Sequence, residues 1–273
     1  MINELQRNEF YKCKSLILEH GHLEIRAIVE GNNPGRIFVD DLKSPRTGLI
    51  WFGNLDGFAF IGDSANTEFN EHINHLFDEV IIPEAIQLGL KWFEGFGDAP
   101  AWNTTIEQVF ASRQLDASNQ KVYSLNKHSY NPSQEPVIDP RYEVMRITEE
   151  MMNPSYFSNQ DFLLNKILEF WDSTDHFIHK GIGYCAIDND EIVSLCFSGF
   201  VAGQIHGLGI ETLKEHRGNK LAQAIAHALV QECVANDLVP YWDCMDVNAP
   251  SKSVAEKIGL TNIFDYTVYE FPF

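Results

Sequence analysis

A loop between a strand-like and a helix-like segment has the residue types that bind phosphate. The apolar run Ile205–Leu213 continues into Lys214-Glu-His-Arg-Gly-Asn-Lys-Leu-Ala222, which opens a helix rich in small residues. A helix start has backbone N–H groups without acceptors and roughly half a positive charge. It can therefore hold a pyrophosphate, and Arg217 and Lys220 would add charge. The alternative is that Arg217-Gly218 merely turns the chain.

Side chains on the strands beside this loop could act as general bases. Because side chains alternate along a strand, His206 and Glu211 are predicted to lie on opposite faces of one strand. Asp243 and Asp246 on the next strand also face opposite ways. The candidate bases are Glu211, Asp243 and His206. Glu211 could equally be an exposed carboxylate at a strand end, and His206 a packed histidine.

From Arg217 onward the sequence resembles the GNAT superfamily of acyl-CoA-dependent N-acyltransferases. The family's Q/R-x-x-G-x-G/A motif maps onto residues 217–222, and Tyr241-Trp-Asp-Cys-Met245 resembles its next strand. Asn248-Ala-Pro-Ser251…Ala255-Glu-Lys-Ile-Gly-Leu260 is similar to the family's Asn-x-x-Ser…Glu-Lys-Leu-Gly-Phe segment. The resemblance covers about residues 141–273. The Tyr-Trp-Asp-Cys run, the Ala-Glu-Lys sequence and the long first half resemble the subfamily that includes the zwittermicin A resistance acetyltransferase.

The resemblance implies a GNAT fold and acetyl-CoA as co-substrate. It implies that the backbone of residues 210–213 pairs with pantetheine as an added strand. Asn248 would approach the cofactor, cap the next helix together with Ser251, or do both. The implied cofactor-binding residues are Ile210, Thr212, Leu213, Arg217, Gly218, Asn219, Lys220, Leu221, Ala222, Asn248 and Ser251.

Two residues depart from the family pattern. Lys220 replaces the middle glycine of the motif, which would cost roughly 1–2 kcal/mol if its φ were positive. Because helical residues follow at once, we expect a helical φ, with the ammonium group able to pair with a phosphate. Ala255 replaces a tyrosine thought to protonate the leaving thiolate. A thiol pKa of about 8.5 makes the thiolate a tolerable leaving group without that acid.

The predicted reaction is direct attack of an amine on the thioester, because nucleophile motifs such as G-x-S-x-G are missing. An alkylamine of pKa about 10.4 is neutral at pH 7 in only about one molecule in a thousand. A base, worth about 10²–10⁴-fold, or a site that lowers the amine pKa is therefore useful. Holding the two reactants together can contribute roughly 7–11 kcal/mol more.

The charge balance limits the partners. The 273 residues include 39 acidic and 20 basic ones, a formal charge of −19, which disfavours nucleic acid and anionic lipid. The acidic charge favours a small cationic acceptor, and the family resemblance implies that this is an aminopolyol antibiotic or a polyamine. The amino terminus resembles no signal peptide and no run of about 18 apolar residues occurs, so we expect a cytoplasmic protein without membrane partners. Alternatives are a non-catalytic acyl-CoA or antibiotic sensor and a protein N-terminal or lysine acetyltransferase.

Metal and disulfide chemistry are not predicted. Five widely spaced cysteines suggest buried thiols rather than a disulfide frame or a zinc site. His72, His75 and Asp78 share a helix face, but a solvated polar face explains their spacing.

Three prolines within residues 131–140 predict a linker. It separates residues 1–130 from a C-terminal acetyltransferase domain at 141–273, and both are expected to be mixed α/β. The first half has the element order of a GNAT opening but no Arg-Gly-x-x-x-Ala loop. It is therefore predicted to be a degenerate GNAT-like domain that supports or completes the acceptor pocket. A substrate cleft, or alternatively the core, would use the aromatic residues Trp51, Phe52, Trp92, Phe93, Phe96 and Trp102.

The hydrophobic pattern predicts the individual elements. In the first half they are helix 5–20, strands 23–30 and 36–41, a hairpin of 47–52 with 58–61 across the Gly53–Gly57 turn, and a helical stretch 68–94 divided into one helix ending near Ile81 and another starting at Pro83. In the second half they are helix 160–171, hairpin strands 183–187 and 192–200, strand 205–213, helix 219–236, strand 239–245, helix 251–258 and strand 266–271.

Overall fold

The computed structural model describes residues 2–53, 57–125, 130–131, 135–153 and 155–273. The strands are β1 (Asn3–Glu4), β2 (Arg36–Val39), β3 (Thr47–Trp51), β4 (Gly57–Gly62), β5 (Trp92–Gly97), β6 (Asp116–Leu125), β7 (Tyr142–Arg146), β8 (Gly183–Asp188), β9 (Glu191–Ala202), β10 (Ile205–Thr212), β11 (Val239–Met245) and β12 (Leu260–Pro272). The helices are α1 (Leu23–Val29), α2 (Thr67–Leu76), α3 (Ile82–Gln87), α4 (Trp102–Val109), α5 (Gln160–Leu168), α6 (Thr174–Lys180), α7 (Leu221–Ala235) and α8 (Ala249–Lys257). A π-helix, Phe77–Ile81, joins α2 to α3.

The chain divides into two compact units, Met1–Gln120 with Tyr266–Phe273 and Lys121–Asp265. The predicted linker lies later, at 131–140, and its residues 132–134 are outside the described residues. The difference arises because β6 and β12 each contribute residues to both units, so the chain changes unit within strands. A proline-rich segment marks where a strand cannot continue, which need not be where a unit ends.

The second unit is a mixed sheet in the order β6-β11-β10-β9-β8-β7. The pairs β7–β8, β8–β9 and β9–β10 are antiparallel, and the pair β10–β11 is parallel. The long helix α7 crosses between the two parallel strands and packs on one face with α8, burying Ile225, Leu229 and Trp242. Helix α5 covers the other face with Leu163 and Ile167.

The first unit repeats this arrangement in the order β1-β2-β3-β4-β5-β12. The pairs β1–β2, β2–β3 and β3–β4 are antiparallel, the pair β4–β5 is parallel, and the end of β12 pairs antiparallel with β5. The core is a cluster of aromatic rings that includes Phe58, Phe77, Phe93 and Phe271. The hydrophobic effect of such rings, each of which buries about 150–250 Å², holds the helices on the sheet.

Most predicted elements of the second unit are confirmed, whereas the first unit differs in several places. The stretch predicted as helical up to Glu94 ends its helix at Gln87, and Trp92–Gly97 is the strand β5. The sequence pattern predicts no element at α4 or at β6. Residues 23–30 form α1 rather than a strand, and residues 7–15 form a 3-10 helix within the predicted helix 5–20. The hairpin of β3 and β4 is confirmed, with Trp51 opposite Phe58. Its turn includes residues 54–56, which lie outside the described residues. Residues 23–27, Leu-Glu-Ile-Arg-Ala, alternate apolar and charged side chains, which is the pattern of a half-buried strand, although five of the seven side chains of α1 are buried.

Candidate functional site

The strands β10 and β11 stop pairing near their middle. Their register covers Ile205 to Gly207 of β10 and, among the described residues, ends at Gly207 with Tyr241. On the other side of β10 the register against β9 shifts between Gly207 and Leu208 and skips Gly199 of β9. An extra residue of this kind increases local twist and bends the strand. The later residues of β10 therefore have an edge that β11 does not cover.

The backbone groups on this edge follow from the alternation of an antiparallel pair. Leu213 donates its N–H to the carbonyl of Val193 at 2.9 Å, so residues 211 and 213 bond towards β9. Ile210 and Thr212 therefore direct their backbone groups to the open edge. Leu213 differs from the prediction, because His216 also donates to its carbonyl at 2.9 Å. Both of its backbone groups are used within the chain.

The loop after β10 presents backbone donors and positive charge. A short 3-10 helix, Lys214–His216, leads to Arg217, which donates from Nε to the Thr212 carbonyl at 3.0 Å. Gly218 and Lys220 have positive φ values of 84° and 62°. Such a turn gathers successive N–H groups into a concave anion site.

Helix α7 begins without a side-chain cap. Among the described residues, no acceptor lies within hydrogen-bonding distance of the backbone N–H groups of residues 218–223. Leu221 is buried, while Ala222 is half-buried and adds no bulk above these donors. Asn219 donates to the carbonyl of His216 at 3.0 Å and holds the loop in place. These donors and the helix dipole fit a pyrophosphate.

The expected helical φ of Lys220 is wrong. Lys220 is the residue before α7 and adopts the left-handed conformation, φ 62° and ψ 14°. A lysine there costs roughly 1–2 kcal/mol relative to a residue without Cβ. The motif's glycine position therefore requires a positive φ, which this chain adopts with a strained lysine whose side chain is exposed.

Asn248 and Ser251 fix the start of α8. The side chain of Asn248 accepts a hydrogen bond from the Ser251 N–H at 3.2 Å, which confirms the predicted cap. The Ser251 hydroxyl accepts from Trp242 Nε1 at 3.0 Å. Ala255, a residue of α8, is fully buried in the core cluster to which α7 also contributes.

Two of the candidate bases share a face of the sheet. Ile210 and Trp242 pack in the core under α7, so their neighbours Glu211 and Asp243 point to the opposite face, where α5 lies. Glu211 is about 40% exposed and forms an ion pair with Lys166 of α5 at 3.0 Å. The sequence reasoning missed Lys166, because nothing in the spacing of α5 indicates which strand residue it meets.

His206 lies on the face of α7 and is buried. Its Nδ1 is 2.8 Å from the hydroxyl of Ser198, which also accepts the N–H of Ile182 at 3.1 Å. Burial lowers the pKa of His206 to about 4, and the charge of Glu232 opposes that shift. At neutral pH the ring is uncharged, and it belongs to the packing of the sheet.

The first unit lacks these features at the equivalent place. The parallel register of β4 with β5 runs from Gly57 to Phe60, and the Asp98 N–H continues it with a hydrogen bond to the Phe60 carbonyl at 2.9 Å. Helix α2 is capped by Asn66, whose side chain accepts the N–H of Phe69 at 3.2 Å. A paired strand edge and a capped helix leave little to hold a cofactor there.

The remaining candidates of the first unit have structural partners. Trp51, Phe93 and Trp102 are core residues, whereas Trp92 is 42% exposed. The rings of Phe52 and Phe96 are buried, and Phe96 contacts His22 and Tyr266. His72 is 2.7 Å through Nδ1 from the Glu68 carbonyl, and Asp78 accepts from Arg113 at 2.8 Å.

Comparison with known proteins identifies the family. The model of the GNAT acetyltransferase family matches residues 14–269, and the chain belongs to that family. An uncharacterized N-acetyltransferase of Bacillus subtilis (strain 168), YdfB, is 25% identical over 271 residues, 98% of each chain. A GCN5-related N-acetyltransferase-like protein from Streptococcus suis has TM-score 0.70 at 19% identity over 97% of this chain and 98% of its own. A tandem GNAT protein from the clavulanic acid biosynthesis pathway has TM-score 0.60 at 10% identity, and the match covers 100% of this chain and 98% of that protein's chain.

Family membership makes the chain an N-acetyltransferase that uses acetyl-CoA as co-substrate. The predicted mixed α/β fold of a tandem GNAT protein is confirmed. In the part of the chain that the structure describes, no helix is long and apolar enough to cross a membrane.

The strain at Lys220 can be measured with two variants. Lys220→Gly and Lys220→Ala both remove the ammonium group, but only the glycine relieves the positive φ. We expect the glycine variant to have a free energy of unfolding about 1 kcal/mol higher than the alanine variant in urea titrations. Acetyl-CoA affinity should be the same in both. Equal stability of the two would contradict a strained backbone at this position.

His206 should make stability depend on pH. Its pKa is about 4 in the fold and near 6.5 when unfolded, so the unfolded chain binds the extra proton between those values. This contribution is complete above pH 6.5 and is lost as the pH falls towards 4. Between pH 7.5 and pH 5 wild type should lose about 2 kcal/mol more than His206→Gln in urea titrations. The exposed His179→Gln is the control; an equal loss in wild type and His206→Gln would be the contrary result.

Proposed function

We propose that the second unit binds acetyl-CoA along β10 and transfers its acetyl group to a small cationic amine. The observation that carries this proposal is the juxtaposition of an uncovered strand edge, Ile210 and Thr212, with the uncapped start of α7. A strand edge suits the amide groups of a pantetheine arm, and helix N–H groups suit a pyrophosphate. Together they account for the two chemical parts of coenzyme A in the order in which they are linked.

The proposed cofactor contacts fall into four groups. Both backbone groups of Ile210 and the N–H of Thr212 pair with the arm, since the Thr212 carbonyl accepts from Arg217. Residues 218–223 donate N–H groups to the pyrophosphate. Arg217, Lys214 and Lys220 supply charge; all three are exposed, and none forms an ion pair with another described residue. Asn248 lies in the short loop between the end of β11 and the start of α8.

Acetyl-CoA supplies a thioester that the acceptor attacks. The amine nitrogen forms a bond to the acetyl carbon, the carbon–sulfur bond breaks, and the sulfur leaves as the thiolate of coenzyme A. The ammonium form of the acceptor loses one proton before it attacks, and the nitrogen loses a second proton after the bond to carbon has formed. For the base that takes up these protons in turn we propose Glu211, with Asp243 on the same face as the second candidate. Glu211 is the nearer in sequence to the cofactor loop and is partly exposed, so a proton can pass from it to solvent.

The acceptor is proposed to be an aminopolyol or a polyamine. Glu211 and Asp243 lie on the sheet face that α5 covers, which we call the acceptor face. Their carboxylates and the formal charge of −19 favour an approaching cation. The resemblance to the subfamily of the zwittermicin A resistance acetyltransferase supports an aminopolyol.

Cofactor binding is tested by calorimetry with acetyl-CoA. Arg217→Ala removes a charge and the hydrogen bond that ties the loop to Thr212, so the Kd should rise about tenfold. Lys257→Ala, an exposed lysine at the end of α8, is the matched control and should leave the Kd unchanged. Failure of the wild-type protein to bind acetyl-CoA would refute the proposed site.

The base is tested by release of free thiol with a panel of amines that includes spermidine. Glu211→Gln should lower kcat about 100-fold with an unchanged Kd for acetyl-CoA, because the proton then lacks an acceptor. Asp243→Asn should lower kcat less than tenfold. The reverse order would move the role to Asp243, and binding without release for every amine would indicate a sensor.

A further inference from the structure

Three charged side chains form a cluster on the acceptor face, which we name the Lys166 cluster: Lys166, Glu169 and Glu211. The Nζ atom of Lys166 lies 3.0 Å from Glu211 Oε2 and 3.0 and 3.2 Å from the two oxygens of Glu169. These two carboxylates are the charged groups that face Lys166, one from the residue that follows its helix and one from β10. All three side chains are between 29% and 40% exposed, so a ligand can reach them.

Lys166 remains an ammonium ion in this position. Partial burial opposes its charge, but the hydrogen bonds from Glu211 and Glu169 outweigh burial and raise its pKa. It is therefore a fixed positive charge at neutral pH and a poor nucleophile. The cluster as a whole carries one net negative charge, from two carboxylates and one ammonium group.

The size of that net charge matters for an amine acceptor. A negative site attracts an alkylammonium ion, but each carboxylate within about 4–6 Å also stabilises the protonated form and raises the amine pKa by about 1–3 units. A protonated amine has no lone pair and cannot attack the thioester. A site with two uncompensated carboxylates would bind the acceptor tightly in its unreactive form.

We propose that Lys166 is a positioning residue that offsets one carboxylate of the cluster, so that the acceptor is attracted as a cation and can still lose its proton at Glu211. The inference rests on the proposed function of Glu211 as the base. Lys166 does not touch the thioester. It sets the charge that the acceptor nitrogen meets and holds the Glu211 carboxylate in one place.

The test compares two amines of nearly equal size. Ethylamine is protonated at pH 7, whereas 2,2,2-trifluoroethylamine is already neutral. Lys166→Met removes the charge and keeps the length of the side chain, and Lys166→Arg keeps the charge. With Lys166→Met and ethylamine, kcat and KM should both fall about tenfold, so that kcat/KM changes less than threefold. The kcat for trifluoroethylamine should change less than twofold.

The pH profile and a second variant complete the experiment. The acid limb of kcat for ethylamine should move up by about one pH unit in Lys166→Met and stay in place in Lys166→Arg. Glu169→Gln removes a carboxylate instead, so KM for ethylamine should rise without a loss of kcat. This variant provides the test if Lys166→Met does not fold, which urea titration and acetyl-CoA affinity will reveal.

A purely structural role gives a different pattern. Equal losses of kcat/KM for both amines in Lys166→Met, with an unchanged pH profile, would overturn the inference while leaving the proposed function intact. A fall of kcat in Glu169→Gln without a rise in KM would also overturn it. Absence of thiol release from wild type with every amine would instead refute the proposed function, and the inference with it.

Discussion

The site depends on a single extra residue in β9. The register of β9 against β10 skips Gly199, next to the point where β10 and β11 cease to pair. A Cβ atom at Gly199 would lie 2.9 Å from the ring of Phe170, so the bend is packed against the segment that follows α5. If the register of β10 with β11 ran to the ends of both strands, Ile210 and Thr212 would be occupied by main-chain partners. No edge would then remain for an extended ligand.

The first unit shows that the topology alone does not produce the site. It has the same strand order and the same parallel pair, yet β4 and β5 stay paired through Asp98 and Asn66 caps α2. Both differences are local: the run of one register, and the side chain before one helix. At a capped helix start a side chain of the protein accepts a hydrogen bond from a backbone N–H group, whereas the N–H groups at the start of α7 remain available to an anion. These two features support the proposal that the first unit is a degenerate GNAT-like domain.

The sequence revealed the second unit better than the first for a physical reason. The loop 214–222 requires particular residue types, so its motif survives in the sequence, and the hairpin of β8 and β9 has a clear turn. The first five residues of α1 alternate apolar and charged side chains, which imitates the pattern of a half-buried strand. The register shift at Gly199 and the meeting of Lys166 with Glu211 depend on tertiary packing, which leaves no local pattern. The predicted helical φ of Lys220 is wrong, because the prediction followed local helix propensity whereas the loop geometry determines the conformation of this residue.

The buried Ala255 moves the chemical difficulty from the leaving group to the nucleophile. The methyl group of Ala255 on α8, buried in the core, cannot donate a proton to sulfur, but a thiolate with a conjugate-acid pKa of about 8.5 leaves without help near neutral pH. An alkylamine, in contrast, is almost entirely protonated there. The charge balance around Glu211 therefore has more influence on rate than an acid at position 255 would. A chain with 39 acidic residues attracts cations readily, so its site must limit how strongly it holds the acceptor's proton, and the ammonium group of Lys166 stands where it can do so.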